Sequence, residues 1–238
     1  MTLYRPARML PLGDRGLLVE FGDEISPLIH DHVRALSKML DAEPIQGIIE
    51  WVPTYRSLAV YYDPLIIGYR ELAIRLSDLL DDLSLEEMPP ARLVEIPVLY
   101  GGEFGPDLED VAKHCGMSVE EVVKLHSGAE YLIYMLGFSP GFPYLGGMDE
   151  RLATPRLEKP RLRIPAGSVG IADKQTGVYP SETPGGWRII GRTPLKLYDP
   201  TREHPVLLSA GDRVRFVPID AETYEKIANS QKVNIVSE

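Results

Sequence analysis

The chain has 238 residues, 44% of them hydrophobic, and a formal net charge of −10. That length and apolar content suffice for a large core and exclude wholesale disorder. The acidic balance argues against general nucleic-acid binding, which needs a basic footprint. A single cysteine, Cys115, excludes an intrachain disulfide and any multi-cysteine zinc site. The opening residues MTLYRPARMLPLGD hold no apolar run of signal-peptide length, and no apolar stretch long enough to span a membrane occurs, so a cytoplasmic protein is expected.

Residues 16–22, GLLVEFG, read as a strand. Ser26 and Pro27 open a helix as N-cap and first residue, with Ile29, Val33, Leu36 and Leu40 on its apolar face. Strands are expected at 47–52 and 57–62, joined by the turn Pro53-Thr54-Tyr55-Arg56. A helix at 69–80 buries Leu72, Leu76 and Leu79. An acidic, proline-bearing connection at 81–90 and a strand at 93–100 follow. This order is the split βαβ pattern of a ferredoxin-like domain, placed at 1–90, with the last strand able to belong to the second domain.

Two short helices are expected within 107–126. Asp107 is a cap for the first, and Ser118 with Glu121 forms a capping box for the second. From there strands are expected at 130–136, 168–172, 187–191, 195–198 and 213–217, then a short helix near 220–228. Short strands punctuated by Gly and Pro make residues 91–238 a β-barrel or sandwich, so the fold class is α+β. Gly and Pro number 21 each, and 17 of these fall within residues 137–191.

Three runs in that stretch suit ligand chemistry. GFSPGFPYLGG (137–147) combines Phe138, Phe142 and Tyr144 with Gly141, which permits close backbone approach to a ligand. PRLEKPRLRIPAGSVG (155–170) holds Arg156, Lys159, Arg161 and Arg163; the forks of Arg161 and Arg163 suit a carboxylate or phosphate and share a face if extended. TGVYPSETPGGWRIIGRTP (176–194) places Tyr179, Trp187, Arg188 and Arg192 beside a Pro-Gly-Gly turn. Arg188 and Arg192 share one side of the strand if it is regular, whereas a bulge at Gly191 would separate them.

His126, just upstream of the first run, is either a base near neutral pH or a satisfied structural histidine. Ser139 and Ser168 lie in no nucleophile elbow, and no phosphate-binding loop or metal-ligand spacing is present. No catalytic residue and no metal site can therefore be named. A site completed by another chain is expected.

The runs GDRGLLVEFG, GPDL, GFSPGFPYLGG, PAGSVGIA, TGVYP and TPGGWRIIGRTP together resemble the allophanate hydrolase subunit 1 family, also described as carboxyltransferase subdomain C and D. That family includes the B-type subunit of 5-oxoprolinase and a sporulation-kinase inhibitor. The resemblance implies an α+β N-terminal domain and a cyclophilin-like C-terminal barrel whose Gly/Pro runs line a groove. It adds Gly167 and Ser168 to the candidate site, alongside His126 and Arg161. It implies a non-autonomous subunit of an ATP-dependent 5-oxoprolinase that opens 5-oxo-L-proline to L-glutamate. It also implies that ATP with Mg acts at the level of the complex, and that the partners are the C-type subunit of 5-oxoprolinase, which is allophanate hydrolase subunit 2-like, and a third subunit. Alternatives are an inhibitor of a sensor histidine kinase and a component of a urea amidolyase-like enzyme. Where the family often carries two consecutive arginines, this chain has Arg156-Leu157.

Overall fold

Leu3–Pro11 forms a strand, β1, that the sequence pattern does not announce. Pro6 and Pro11 suit it to an edge, where a missing N–H costs no ladder bond. A register shift between Leu3 and Arg8 erases the alternation that would have marked it. The computed structural model describes residues 2–85, 91–230 and 235–236. Residues 86–90 of the acidic connection lie outside the described residues. The chain divides into two compact units, Met1–Pro90 and Ala91–Glu238.

In the first unit, β2 (Gly16–Gly22), α1 (Pro27–Ala42), β3 (Ile48–Pro53), β4 (Ser57–Tyr62) and α2 (Tyr69–Asp81) follow β1. Ser26 caps α1: its Oγ accepts from the Ile29 N–H at 3.2 Å. The β3–β4 turn is closed by Thr54 N–H donating to the Ser57 carbonyl at 2.9 Å. The antiparallel sheet runs β1-β2-β4-β3. Thus β2 and β3, joined through α1, lie on either side of β4. Leu17, Val19, Leu58 and Val60 from the sheet are fully buried with Val33, Leu36, Leu40, Leu72 and Leu76 from the helices. Each such side chain contributes about 1.5–3 kcal/mol.

The second unit begins with β5 (Leu93–Tyr100), the strand that would have completed the first sheet; β1 holds the edge beside β2 instead. Helices α3 (Leu108–Cys115) and α4 (Val119–Ser127) follow. Then come β6 (Glu130–Leu136), β7 (Pro143–Gly146), a 3₁₀ turn at Glu150–Leu152, β8 (Arg161–Ile164), β9 (Ser168–Ala172), β10 (Gln175–Val178), β11 (Thr183–Gly185), β12 (Arg188–Arg192), β13 (Arg213–Pro218) and α5 (Ala221–Ser230). The main sheet runs β10-β9-β12-β5-β13-β6-β7, and β10 also packs against β7, which makes it a nearly closed barrel. It is mixed, because β5 and β13 are parallel while the other pairs along this path are antiparallel. β8 and β11 form a separate two-stranded ribbon. Val94, Ile96, Val98, Tyr131, Val214 and Phe216 fill the core.

Two local expectations are corrected. Residues 195–198 form no strand. Tyr198 makes one isolated bridge with Val206, and Leu195 and Leu197 are simply buried in a loop. Asp107 occupies the N-cap position of α3 but makes no side-chain capping bond; its carboxylate is engaged elsewhere, as described below. The capping box of Ser118 and Glu121 is present on α4. Among the described residues no helix is long and apolar enough to cross a membrane.

Candidate functional site

Phe142 is the hub of the 137–147 run. Its ring meets Phe138, Tyr179 and Trp187 edge-on at 5.6 Å and Tyr144 at 5.4 Å. Such geometry sets the positive edge of one ring against the negative face of another. The loop that presents Phe138 is tied by the Gly137 N–H to the Phe142 carbonyl and the Phe142 N–H to the Ser139 carbonyl. Gly141 turns the backbone at φ 82°, and Phe138 itself is held at φ 66°. That value is strained for a side-chain-bearing residue, and Phe138 remains 69% exposed. A tight loop that pushes an aromatic ring outward in a strained conformation marks this end of the barrel.

These five aromatic residues line a cavity of about 360 Å³, together with Arg156 and Gln175. Its walls come from β7, β10, the ribbon and the residue before β12. Arg156 stands at the mouth, largely exposed, 3.2 Å from the Asp173 carboxylate. An exposed pair of this kind is worth about 0–1 kcal/mol, so Arg156 can exchange its partner for a ligand anion at little cost. Tyr179 is buried, and burial pushes its phenol up to about 12 against the opposing Trp187 backbone N–H. It therefore stays protonated near neutral pH and offers a hydroxyl donor.

The other candidates fall elsewhere. His126 is fully buried in the core, with Nδ1 2.8 Å from the Tyr100 hydroxyl and Nε2 2.8 Å from the Thr176 hydroxyl. It stacks on Phe216 at 4.5 Å. Burial lowers its pKa to about 3, so it is a neutral structural group and does not serve as a base near neutral pH.

Arg161 is committed to Asp107. Its two terminal nitrogens donate to the two carboxylate oxygens at 2.8 and 2.7 Å. Asp107 also accepts from the Ile189 N–H at 2.6 Å, while its own N–H donates to the Ile189 carbonyl at 2.9 Å. This clamp joins the start of α3, β8 and β12, and it occupies the fork expected to hold a substrate carboxylate. Arg163 pairs with Glu182. The clamp could be foreseen only from a fold that brings GPDL against GGWRII; nothing local in either run announces it.

Arg188 and Arg192 do not share a face. A register shift between Ile189 and Gly191 sets Arg188 opposite Ile171 and Arg192 opposite Ser168 on β9. Those partners are three residues apart, so the guanidiniums diverge. Arg188 reaches Asp110 and the Pro155 carbonyl, and Arg192 lies over Phe104. Gly167 is required by its φ of 80° and by a Cβ position that would fall 2.3 Å from the Thr193 carbonyl oxygen. Its N–H donates to the Tyr179 carbonyl, so it is no oxyanion donor here. Ser168 is fully buried.

A larger groove, about 860 Å³, runs along the Gly101–Pro106 turn and the α3–α4 pair and holds none of the sequence candidates. Among the described residues no group of three or more His, Cys, Asp or Glu is placed to hold a metal ion.

The family described as carboxyltransferase domain, subdomain C and D, matches residues 7–208. The chain belongs to that family. It is 47% identical over 227 residues to the B-type subunit of 5-oxoprolinase from Bacillus subtilis (strain 168), covering 90% of this chain and 93% of that protein. It is 44% identical over 216 residues to the B-type 5-oxoprolinase subunit of Escherichia coli O157:H7, covering 89% and 96%. The crystal structure of TTHA0988 in space group P212121 matches with a TM-score of 0.77 and 41% identity. That match covers 87% of this chain but only 40% of the longer TTHA0988 chain.

Proposed function

We propose that this chain is the B-type subunit of an ATP-dependent 5-oxoprolinase, which opens 5-oxo-L-proline to L-glutamate only together with partner subunits. The observation that carries this reading is the 47% identity, across nearly the full length of both chains, to the B-type 5-oxoprolinase subunit of Bacillus subtilis. The cavity is compatible with it. Trp187 and Phe142 offer apolar ring surface to a five-membered lactam, the Tyr179 hydroxyl is a donor for its carbonyl, and Arg156 at the mouth suits its carboxylate. The described residues hold no nucleophile–base pair beside that cavity, in keeping with chemistry completed by another chain. The partners in this reading are a C-type subunit resembling allophanate hydrolase subunit 2 and a third subunit. ATP with Mg enters at the level of that cytoplasmic assembly.

The finer fold labels belong to the same reading. The β2-α1-β3 unit split by β4 supports a ferredoxin-like first unit, with β1 as its outer strand. The nearly closed barrel supports a cyclophilin-like second one.

Co-expression with the two partner subunits, followed by measurement of glutamate released from 5-oxo-L-proline and ATP, tests the proposal. Turnover by the assembly and none by this chain alone is expected. A complete assembly that releases no glutamate, while the Bacillus subtilis assembly does so in the same buffer, refutes it. Lowered autophosphorylation of a sensor histidine kinase would then favour the inhibitor reading.

A further inference from the structure

Nine of the ten arginines of the second unit pair with a carboxylate. The tenth is Arg192. Among the described residues it makes no ion pair and no hydrogen bond, and its Nε is buried without a partner. A shortage of acids does not explain this, because the chain carries 35 Asp and Glu against 25 Lys and Arg.

The surroundings of Arg192 hold it in place without satisfying it. Its guanidinium carbon lies 5.2 Å from the centroid of the Phe104 ring, a cation–π contact, and Phe104 is braced by Tyr224 at 4.8 Å. Directly opposite Arg192 in the antiparallel β9–β12 register is Ser168, so the two side chains share a face of the sheet. The Ser168 hydroxyl is fully buried and also lacks a partner. Gly167 keeps the space beside them open, since a Cβ there would lie 3.4 Å from the Arg192 side chain. Two unmet polar groups on one face, at the end of a strand, are costly unless something outside the chain meets them. The arginine is partly exposed, so its end can be reached from solvent.

We propose that Arg192 is a carboxylate-binding site. The guanidinium, steadied on Phe104, donates two N–H groups to one carboxylate, and the Ser168 hydroxyl supports it from beneath. One guanidinium balances one carboxylate. A phosphate dianion would add uncompensated charge to a chain of net −10. The carboxylate comes either from a small acid or from an acidic side chain of a partner subunit. Arg192 does not line the aromatic cavity, so this site goes beyond the substrate reading given above.

The test uses the chain alone, without ATP or partners, and so is independent of whether the 5-oxoprolinase reading stands. The Arg192 Nε–H and the Gly167 and Thr193 backbone amides are followed by ¹⁵N NMR. Sodium acetate, 5-oxo-L-proline and sodium phosphate are titrated at constant ionic strength against sodium chloride. Saturable shifts are expected with the two carboxylates and not with chloride. Arg192→Gln should abolish them, and Arg192→Lys, which keeps the charge but loses the fork, should weaken binding about tenfold. Backbone amide dispersion reports folding of each variant, and Ser168→Ala, which leaves Arg192 in place, should weaken binding several-fold.

Binding of 5-oxo-L-proline more than about tenfold tighter than acetate assigns the site to a small acid. Equal binding assigns it to a partner's side chain, and Arg192→Gln must then lower affinity for the partner subunit by at least about tenfold. Shifts that are the same in chloride and acetate, shifts that persist in folded Arg192→Gln, or tighter binding of phosphate than of either carboxylate overturn the proposal.

Discussion

Replacing Asp107 by alanine should destabilise the second unit by several kcal/mol. The side chain is nearly inaccessible and receives three N–H groups, two from Arg161 and one from Ile189. Losing it leaves the Ile189 N–H buried without that acceptor, at a cost of about 1–3 kcal/mol. It also strands Arg161. A fully buried broken pair costs about 3–5 kcal/mol, but the Arg161 side chain is 32% exposed, and water recovers part of its loss. Together these give roughly 3–4 kcal/mol, or roughly 6–16 °C in Tm for a unit of this size. Asp107→Asn keeps an acceptor for Ile189 and should cost only about half as much. Urea unfolding followed by Trp187 fluorescence in a Trp51→Phe background reads the second unit alone, because Trp51 lies in the first. A loss below about 1 kcal/mol for Asp107→Ala, or equal losses for the two variants, refutes the clamp as the source of stability. Because Ile189 follows the cavity residue Trp187 by two positions, the alanine variant should also lower turnover of the assembly.

The remaining predictions follow from single observations. His126 has a folded pKa of about 3, against about 6.5 when unfolded, so the unfolded state binds more protons between those values. Its stability contribution is complete above pH 6.5 and is lost as pH falls. Urea midpoints should show a loss of roughly 2 kcal/mol at pH 5 relative to pH 7, and a folded His126→Gln variant should lose that component. A pH dependence identical in both proteins would contradict the assignment of His126 as a buried neutral group. Gly167→Ala should cost roughly 2–4 kcal/mol in chemical denaturation, since both φ and the Thr193 carbonyl oppose a Cβ. Gly13→Ala, at φ 65° with open space around it, should cost only about 1 kcal/mol. Phe138→Gly should leave stability unchanged or raised by roughly 1 kcal/mol, by relieving the strained φ, while lowering assembly turnover severalfold; unchanged turnover removes Phe138 from the site.

Elements with strong periodicity were legible from the sequence. Ser26-Pro27 with Ile29, Val33, Leu36 and Leu40 marks α1, and Ser118 with Glu121 marks the start of α4, because the signals that form these helices are local. β1 was not legible, since an edge strand tolerates prolines and a register shift that erase period-two alternation. The ribbon of β8 and β11 is only four and three residues long and reads as loop. The aromatic half of the candidate site was readable because Phe138, Phe142, Tyr144, Tyr179 and Trp187 sit in Gly/Pro-punctuated runs. The arginines were not. Each carries the same chemistry in the sequence, and only tertiary partners separate Arg161, locked to Asp107, from Arg192, which has no ion-pair or hydrogen-bond partner among the described residues. Whether Arg188 and Arg192 are co-facial stayed open in the sequence, because Gly191 permits a bulge without requiring one; the register shift at Ile189–Gly191 decides against it.

The parallel pairing of β5 with β13 has a consequence for synthesis. The barrel places Leu93–Tyr100 between β12 and β13, so neither neighbour exists when β5 leaves the ribosome. The first unit draws its four strands and two helices from residues before 86 and can close while the rest is still being translated. β5 must wait until residue 218 is made. At translation rates of about 5–20 residues per second, that leaves β5 without its complete pair of sheet neighbours for roughly 6–25 seconds. The second unit thus carries an unpaired strand through most of its synthesis, whereas the first can pair its strands early.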